Sequence, residues 1–249
     1  MVTAALRTVK NCAWRLPRLA RNSVRNSFGT LRYRSSRSRS LPVTMVMQTF
    51  STSMADPLYL SLWFSDFSGP AMLPHLHAVL QQFPSSQVRA GITYVAVQPV
   101  SWNEATVLER RFSPGITPEE AVVVAADLMH DDYAYVFEAY WDLWTPDESG
   151  HWRLVPSQVK FIVQGEEFEE GAQQETGQIQ IDFGLDSLFV QENVALTEET
   201  QAKIRENVAK LVEFTGKVGL NTRATTRRLW SESDQSLPQK LIARLQKVQ

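Results

Sequence analysis

The sequence predicts an α+β protein, a mostly antiparallel sheet of about six strands with helices on one face. Three observations predict it. Apolar and polar residues alternate at Leu58–Ser65 and again at Gln178–Val190, the period of half-buried strands. Long β-branched and aromatic runs come in pairs separated by short Pro, Gly and Asn turns, which is how hairpins read. Helical stripes with recognisable starts lie between them.

Taken in order, Leu58, Leu60, Leu62 and Phe64 face one way on the first strand. Ser68 then caps a helix with Met72, Leu73, Leu76, Val79, Leu80 and Phe83 on its apolar side, and Pro84 stops it. Pro70 and Pro74 fit only near its first turn. Val88–Gln98 reads as a strand, Pro99–Asn103 as a turn and Thr106–Phe112 as the hairpin partner. Thr117-Pro118-Glu119-Glu120 has the form of a capping box with proline at the first helical position. The helix it opens is expected to run to about His130. Its apolar body, Ala121–Ala126, predicts deep packing. Tyr133–Thr145 and Trp152–Phe168 form a second hairpin across the turn 146–150, with Pro156 at a bulge or edge. Glu166–Gly177 is expected to be a mobile loop, and Gln178–Val190 a further strand. Thr197 caps a last long helix, with Ile204, Val208, Leu211 and Val212 on one face, that Gly216 should end. The order β-α-β-β-α-β-β-β-α contains a ferredoxin-like split β-α-β core with a C-terminal extension.

Charge divides the 249 residues into three parts. Residues 1–54 carry ten Arg or Lys and no acid; residues 55–215 carry 8 basic against 25 acidic residues; residues 216–249 carry 7 against 2. The expected organisation is an arginine-rich leader over 1–54, one acidic domain over 55–216, and a basic tail over 217–249 with a short amphipathic helix. Three readings of the leader compete. It is an extension upstream of a start at Met45, Met47 or Met54, a mitochondrial transit peptide, or a secretory signal. The first places the protein in the cytoplasm and the second in the mitochondrial matrix.

The acidic middle opposes a phosphate backbone, so nucleic acid is not an expected partner. No run reaches the roughly 18 apolar residues of a membrane helix. Cys12 is the only cysteine, which excludes thiolate chemistry from the domain. No motif for phosphate, dinucleotide, metal or a nucleophile elbow occurs, so neither cofactor nor metal is expected. His75 and His77 stand about 200° apart on a helix and cannot share a metal. His130-Asp131-Asp132 suits a helix end followed by a turn.

Candidate chemistry sits on strand faces. Glu138 and Asp142 share a face with Tyr140 and Trp144. Asp182 and Asp186 share another with Gln178 and Gln180, and Lys160 lies between them in sequence. Two carboxylates about 5–9 Å apart beside aromatics suit acid–base work on a sugar. A solvated sheet face gives the same pattern. The primary expectation is a soluble, non-catalytic module that binds a basic protein surface or self-associates, with Tyr140, Trp144, Lys160 and Gln180 as binding residues. The alternative is a hydrolase or isomerase using Glu138, Asp142, Asp182 or Asp186. A nucleic-acid mimic is the third.

Overall fold

The structure is a computed structural model that describes residues 55–232 and 236–246. The chain divides into two units, Met1–Met54 and Ala55–Gln249. The leader and its alternatives lie outside the described residues.

Seven antiparallel strands form one open sheet in the order β3-β2-β4-β5-β6-β1-β7. They are β1 Pro57–Phe64, β2 Ile92–Pro99, β3 Leu108–Ile116, β4 Tyr133–Pro146, β5 Trp152–Gln164, β6 Ile179–Leu185 and β7 Ala224–Ser231. The α+β, antiparallel expectation holds, with one strand more than expected. That strand, β7, lies in the stretch read as a polar tail. Its alternation is masked because its outer edge faces solvent and carries Arg227 and Arg228. The sheet also departs from a ferredoxin-like order. That order places the first strand between the third and fourth, whereas here β1 lies between β6 and β7, and β4 lies between β2 and β5.

One face is the core. Leu58, Leu60, Leu62 and Phe64 of β1, Phe137, Ala139, Trp141 and Leu143 of β4, and Val159, Phe161 and Val163 of β5 point into it. Helices α1 (Gly69–Leu80), α2 (Pro118–Ala126) and α5 (Glu198–Asn221) cover it. Phe83, Trp141, Phe161, Phe183 and Phe214 meet at its centre with ring centroids 5.1–6.5 Å apart.

The capping box at α2 forms as read: Thr117 Oγ1 accepts from Glu120 N–H, and Glu120 returns the bond to Thr117 N–H. Two other expectations for α2 fail. It stops at Ala126, because Tyr135 Oη takes over the turn, donating to Leu128 C=O and accepting from His130 N–H, both at 2.8 Å. Nor is it deeply packed. Only Ala121 and Ala125 are fully buried, and Val123 is 69% exposed. Two alanines let the helix approach closely along a narrow stripe. α5 passes Gly216 and ends at Asn221, and Gly219 leaves room for Arg227, whose guanidinium reaches Thr215 C=O. A glycine at the face where another chain segment crosses is a packing device here, not a stop.

Residues 166–177, expected to be a mobile loop, fold over the second face of the sheet. They form a 3-10 turn at Phe168–Gly171 and a short helix, α3, at Gln173–Thr176. Phe168 is fully buried. Ser61 Oγ donates to Thr176 C=O, and Gln164 Nε2 donates to Thr176 Oγ1 at 3.2 Å. Gly177, at φ 105°, lets the chain pass against Ser61.

The free half of β4, beyond its pairing with β2, is also closed. The Asn207 amide of α5 stands in for a neighbouring strand. Its Oδ1 accepts from Trp144 N–H at 2.8 Å, and its Nδ2 donates to Trp144 C=O at 2.8 Å and Leu188 C=O at 3.0 Å. Leu188 lies in α4, Ser187–Val190.

Candidate functional site

The second face of the sheet is largely open. The register places one residue of every strand in a single row across it: Arg111, Tyr94, Glu138, Lys160, Asp182, Tyr59 and Trp230. Lys160 is exposed between the two carboxylates, and among the described residues no hydrogen bond or ion pair fixes its ammonium. Aromatics flank the charges. Tyr59 lies 4.8 Å from Trp230, and the Trp230 indole donates to Ser61 Oγ at 2.9 Å. Burial raises the pKa of Tyr59, assisted by Asp182, and that of Tyr94, assisted by Glu109 against Arg111. Both phenols therefore offer O–H donors at neutral pH.

At one end of this face lies a shallow depression of about 200 Å³. Tyr94, Ala96 and Gln98 of β2, Val136 and Glu138 of β4, and Lys160 line its floor, with Trp102 and Thr106 from the β2–β3 turn. Gln98 shapes that turn. Its amide donates to Ser101 C=O at 2.8 Å and Glu104 C=O at 2.5 Å, and it accepts from Thr106 Oγ1 at 3.2 Å. Trp102 stands at the rim, 47% exposed, with its ring edge-on to Phe168 at 4.9 Å.

The backbone beneath Trp102 is held in an unfavourable conformation. Val100, Glu169 and Glu170 have φ of 57°, 49° and 56°. This left-handed region is uncommon for any residue with a Cβ and least comfortable for a β-branched one. The segments hold each other there: Glu169 N–H donates to Val100 C=O at 2.9 Å, Val100 N–H to Asp132 C=O at 2.7 Å, and Trp102 N–H to Glu169 Oε1 at 2.7 Å. Glu167 N–H bonds Asp131 C=O at 3.0 Å. Thus the segments 99–106, 127–132 and 165–177 converge. Together they carry nine Asp or Glu and no Lys or Arg.

The residues expected from sequence fall into separate places. Glu138, Lys160 and Asp182 do come together in the row, with Gln180 one row away beside Ser61. Asp142 does not join them. It accepts from Ser86 Oγ at 2.6 Å and Gln87 N–H at 3.0 Å, fixing the chain after α1. Asp186 is buried and paired with Lys240 at 2.5 Å. Tyr140 is covered by the Arg89 guanidinium, 3.7 Å from its ring, and Trp144 by the Lys203 ammonium at 3.4 Å, with its indole N–H on Glu206. Trp102, Tyr94, Gln98, Tyr59 and Trp230 were not singled out as a group. The register, invisible in a single sequence, assembles Tyr94, Gln98, Tyr59 and Trp230 on one face, and Trp102 joins them through the β2–β3 turn and its contact with Phe168.

The histidines take structural partners. His75 is stacked on Phe64 at 4.2 Å and lies 3.3 Å from Asp66; His77 pairs with Glu119 at 3.0 Å. Among the described residues no three His, Cys, Asp or Glu side chains gather as a metal site. No described helix is long and apolar enough to cross a membrane. Comparisons with family models, with curated proteins and with solved structures find no match in any of the three.

Proposed function

We propose that the folded unit is a non-catalytic interaction module that seats a basic segment of a partner protein at the Trp102 end of the open sheet face. The observation that carries this reading is Trp102 itself. It is a half-exposed indole on a strained, mutually bonded backbone, at the lip of a depression and within an acidic rim. An exposed indole is the commonest kind of binding anchor, and its ring attracts cations. The surrounding carboxylates attract Arg and Lys at longer range.

Two geometric facts weigh against the paired-carboxylate alternative. Asp142 and Asp186 are committed to other bonds. Glu138 and Asp182 lie on strands two steps apart, roughly 10 Å, with Lys160 between them. That backbone spacing stands at the upper end of the range for carboxylate pairs that act together on a glycosidic bond, and Lys160 occupies the place between them that substrate and water would need. Edge-to-edge self-association is disfavoured as well, because both free edges carry adjacent arginines, Arg110–Arg111 on β3 and Arg227–Arg228 on β7. A start near Met54 would put the module in the cytoplasm; a cleaved transit peptide would put it in the matrix.

Affinity capture at low and high salt, with wild type and Trp102→Ala side by side, tests the reading. A partner retained at low salt, released at high salt and absent with the variant supports it. Retention by both proteins alike refutes it.

A further inference from the structure

The C-terminal helix α6 spans Leu237–Gln246. Among its described side chains, Leu237 and Lys240 are buried, Pro238, Leu241 and Ile242 are half-buried, and Leu237 and Leu241 join the core. Arg244 donates to Gln191 C=O at 2.9 Å and to Val194 C=O. The Lys240 ammonium, with the residue only 4% exposed, lies 2.5 Å from both Asp56 Oδ2 and Asp186 Oδ2.

The receiving site is built by other elements. Asp186 N–H donates to Asp56 C=O at 2.8 Å, and Asp56 N–H donates to Asp186 Oδ1 at 3.0 Å. These reciprocal bonds tie the residue before β1 to the end of β6 and hold two carboxylates side by side. With Asp186 buried and Asp56 partly buried, two such neighbouring carboxylates are costly unless a cation lies between them. The helix in turn carries its own start. Gln239 Oε1 accepts from Ser236 N–H at 2.8 Å, Lys240 N–H donates to Ser236 C=O at 3.0 Å, and Pro238 sits in the first turn. No strand pairing passes through it.

We propose that α6 is a latch, closed by Lys240 on the Asp56–Asp186 socket, that opens as a unit while the sheet stays folded. Burial alone would lower the Lys240 pKa, but the hydrogen bonds it donates to Asp186 and Asp56, with the charges of those carboxylates, outweigh it and the pKa is raised. The docked lysine is therefore charged at neutral pH.

Hydrogen exchange read by mass spectrometry on the full chain tests this, with wild type and Lys240→Met. In the wild type, amides of 240–246 should exchange at least about tenfold faster than the core of β4 and β5, in a separate opening. In the variant, protection of α6 should fall by a further factor of about ten or more while β4 and β5 keep theirs. Exchange of α6 only in step with β4 and β5 in the wild type overturns the proposal. So does undiminished protection of α6 in the variant. The wild-type measurement decides even where the variant does not fold.

Discussion

Replacing Asn207 with leucine isolates what one side chain does for the edge of the sheet. Leucine has the same number and branching of side-chain heavy atoms and is somewhat bulkier, so no cavity opens. What disappears is three hydrogen bonds, to Trp144 N–H, Trp144 C=O and Leu188 C=O, at a residue only 1% exposed. Each backbone group left buried without a partner costs about 1–3 kcal/mol. Partial access of water at Trp144, which is half-buried, reduces the two contributions there. We therefore expect Asn207→Leu to destabilise by about 3–5 kcal/mol. Asn207→Asp should cost no less, since it keeps the acceptor, loses both donors and buries a charge. The assay is urea unfolding followed by tryptophan fluorescence, with the midpoint and slope fitted separately. A loss below about 1 kcal/mol for both variants would refute the view that Asn207 closes this edge.

Four further outcomes follow from the geometry. Gly165→Ala would set a Cβ 2.0 Å from Asp131 C=O, backbone that cannot swing aside, so it should destabilise by about 1–3 kcal/mol in thermal unfolding. Val100→Gly, at φ 57°, should raise stability by about 0.5–1 kcal/mol by relieving a left-handed β-branched residue; a loss of stability in urea would show that the conformation is not strained. The Glu119 carboxyl, held at a pKa of about 2 by its own backbone N–H, then by Gln81 and His77, has a folded value below its unfolded one. Its contribution is present above pH 4.5 and is lost as pH falls toward 2; Glu119→Gln should flatten that part of the pH–stability curve. Lys240 runs the other way. Its folded pKa lies above 10.5, so its contribution is full below that pH and fades as pH rises through the raised value, and α6 protection should fade over the same alkaline range.

The hydrophobic periods in the sequence carried the fold a long way, because β1, β4, β5 and β6 each bury one face and the alternation writes that directly. The Thr117–Glu120 box was legible for a similar reason, since every atom in it is local. What escaped was non-local. β7 is an exposed edge with little burial to record. α2 stops where a tyrosine from the next strand intervenes. The acidic run 166–177 looked solvated, but Phe168 and Gly177 pin it against Trp102 and Ser61. At the site, Glu138, Lys160 and Asp182 could be named but not joined, because joining them needs the β4–β5–β6 register. Tyr140 and Trp144 were named for being aromatic beside acids, yet Arg89 and Lys203 already cover them.

That contrast gives the most direct test of the central claim. Binding of Arg- and Lys-containing peptides should be measured by titration calorimetry at low salt for wild type, Trp102→Ala and Trp144→Phe. The account predicts that Trp102→Ala weakens binding about 30-fold, the effect of losing an anchor worth roughly 2 kcal/mol, while Trp144→Phe stays within a factor of about two. Equal weakening by both variants, or unchanged binding by Trp102→Ala, would contradict it.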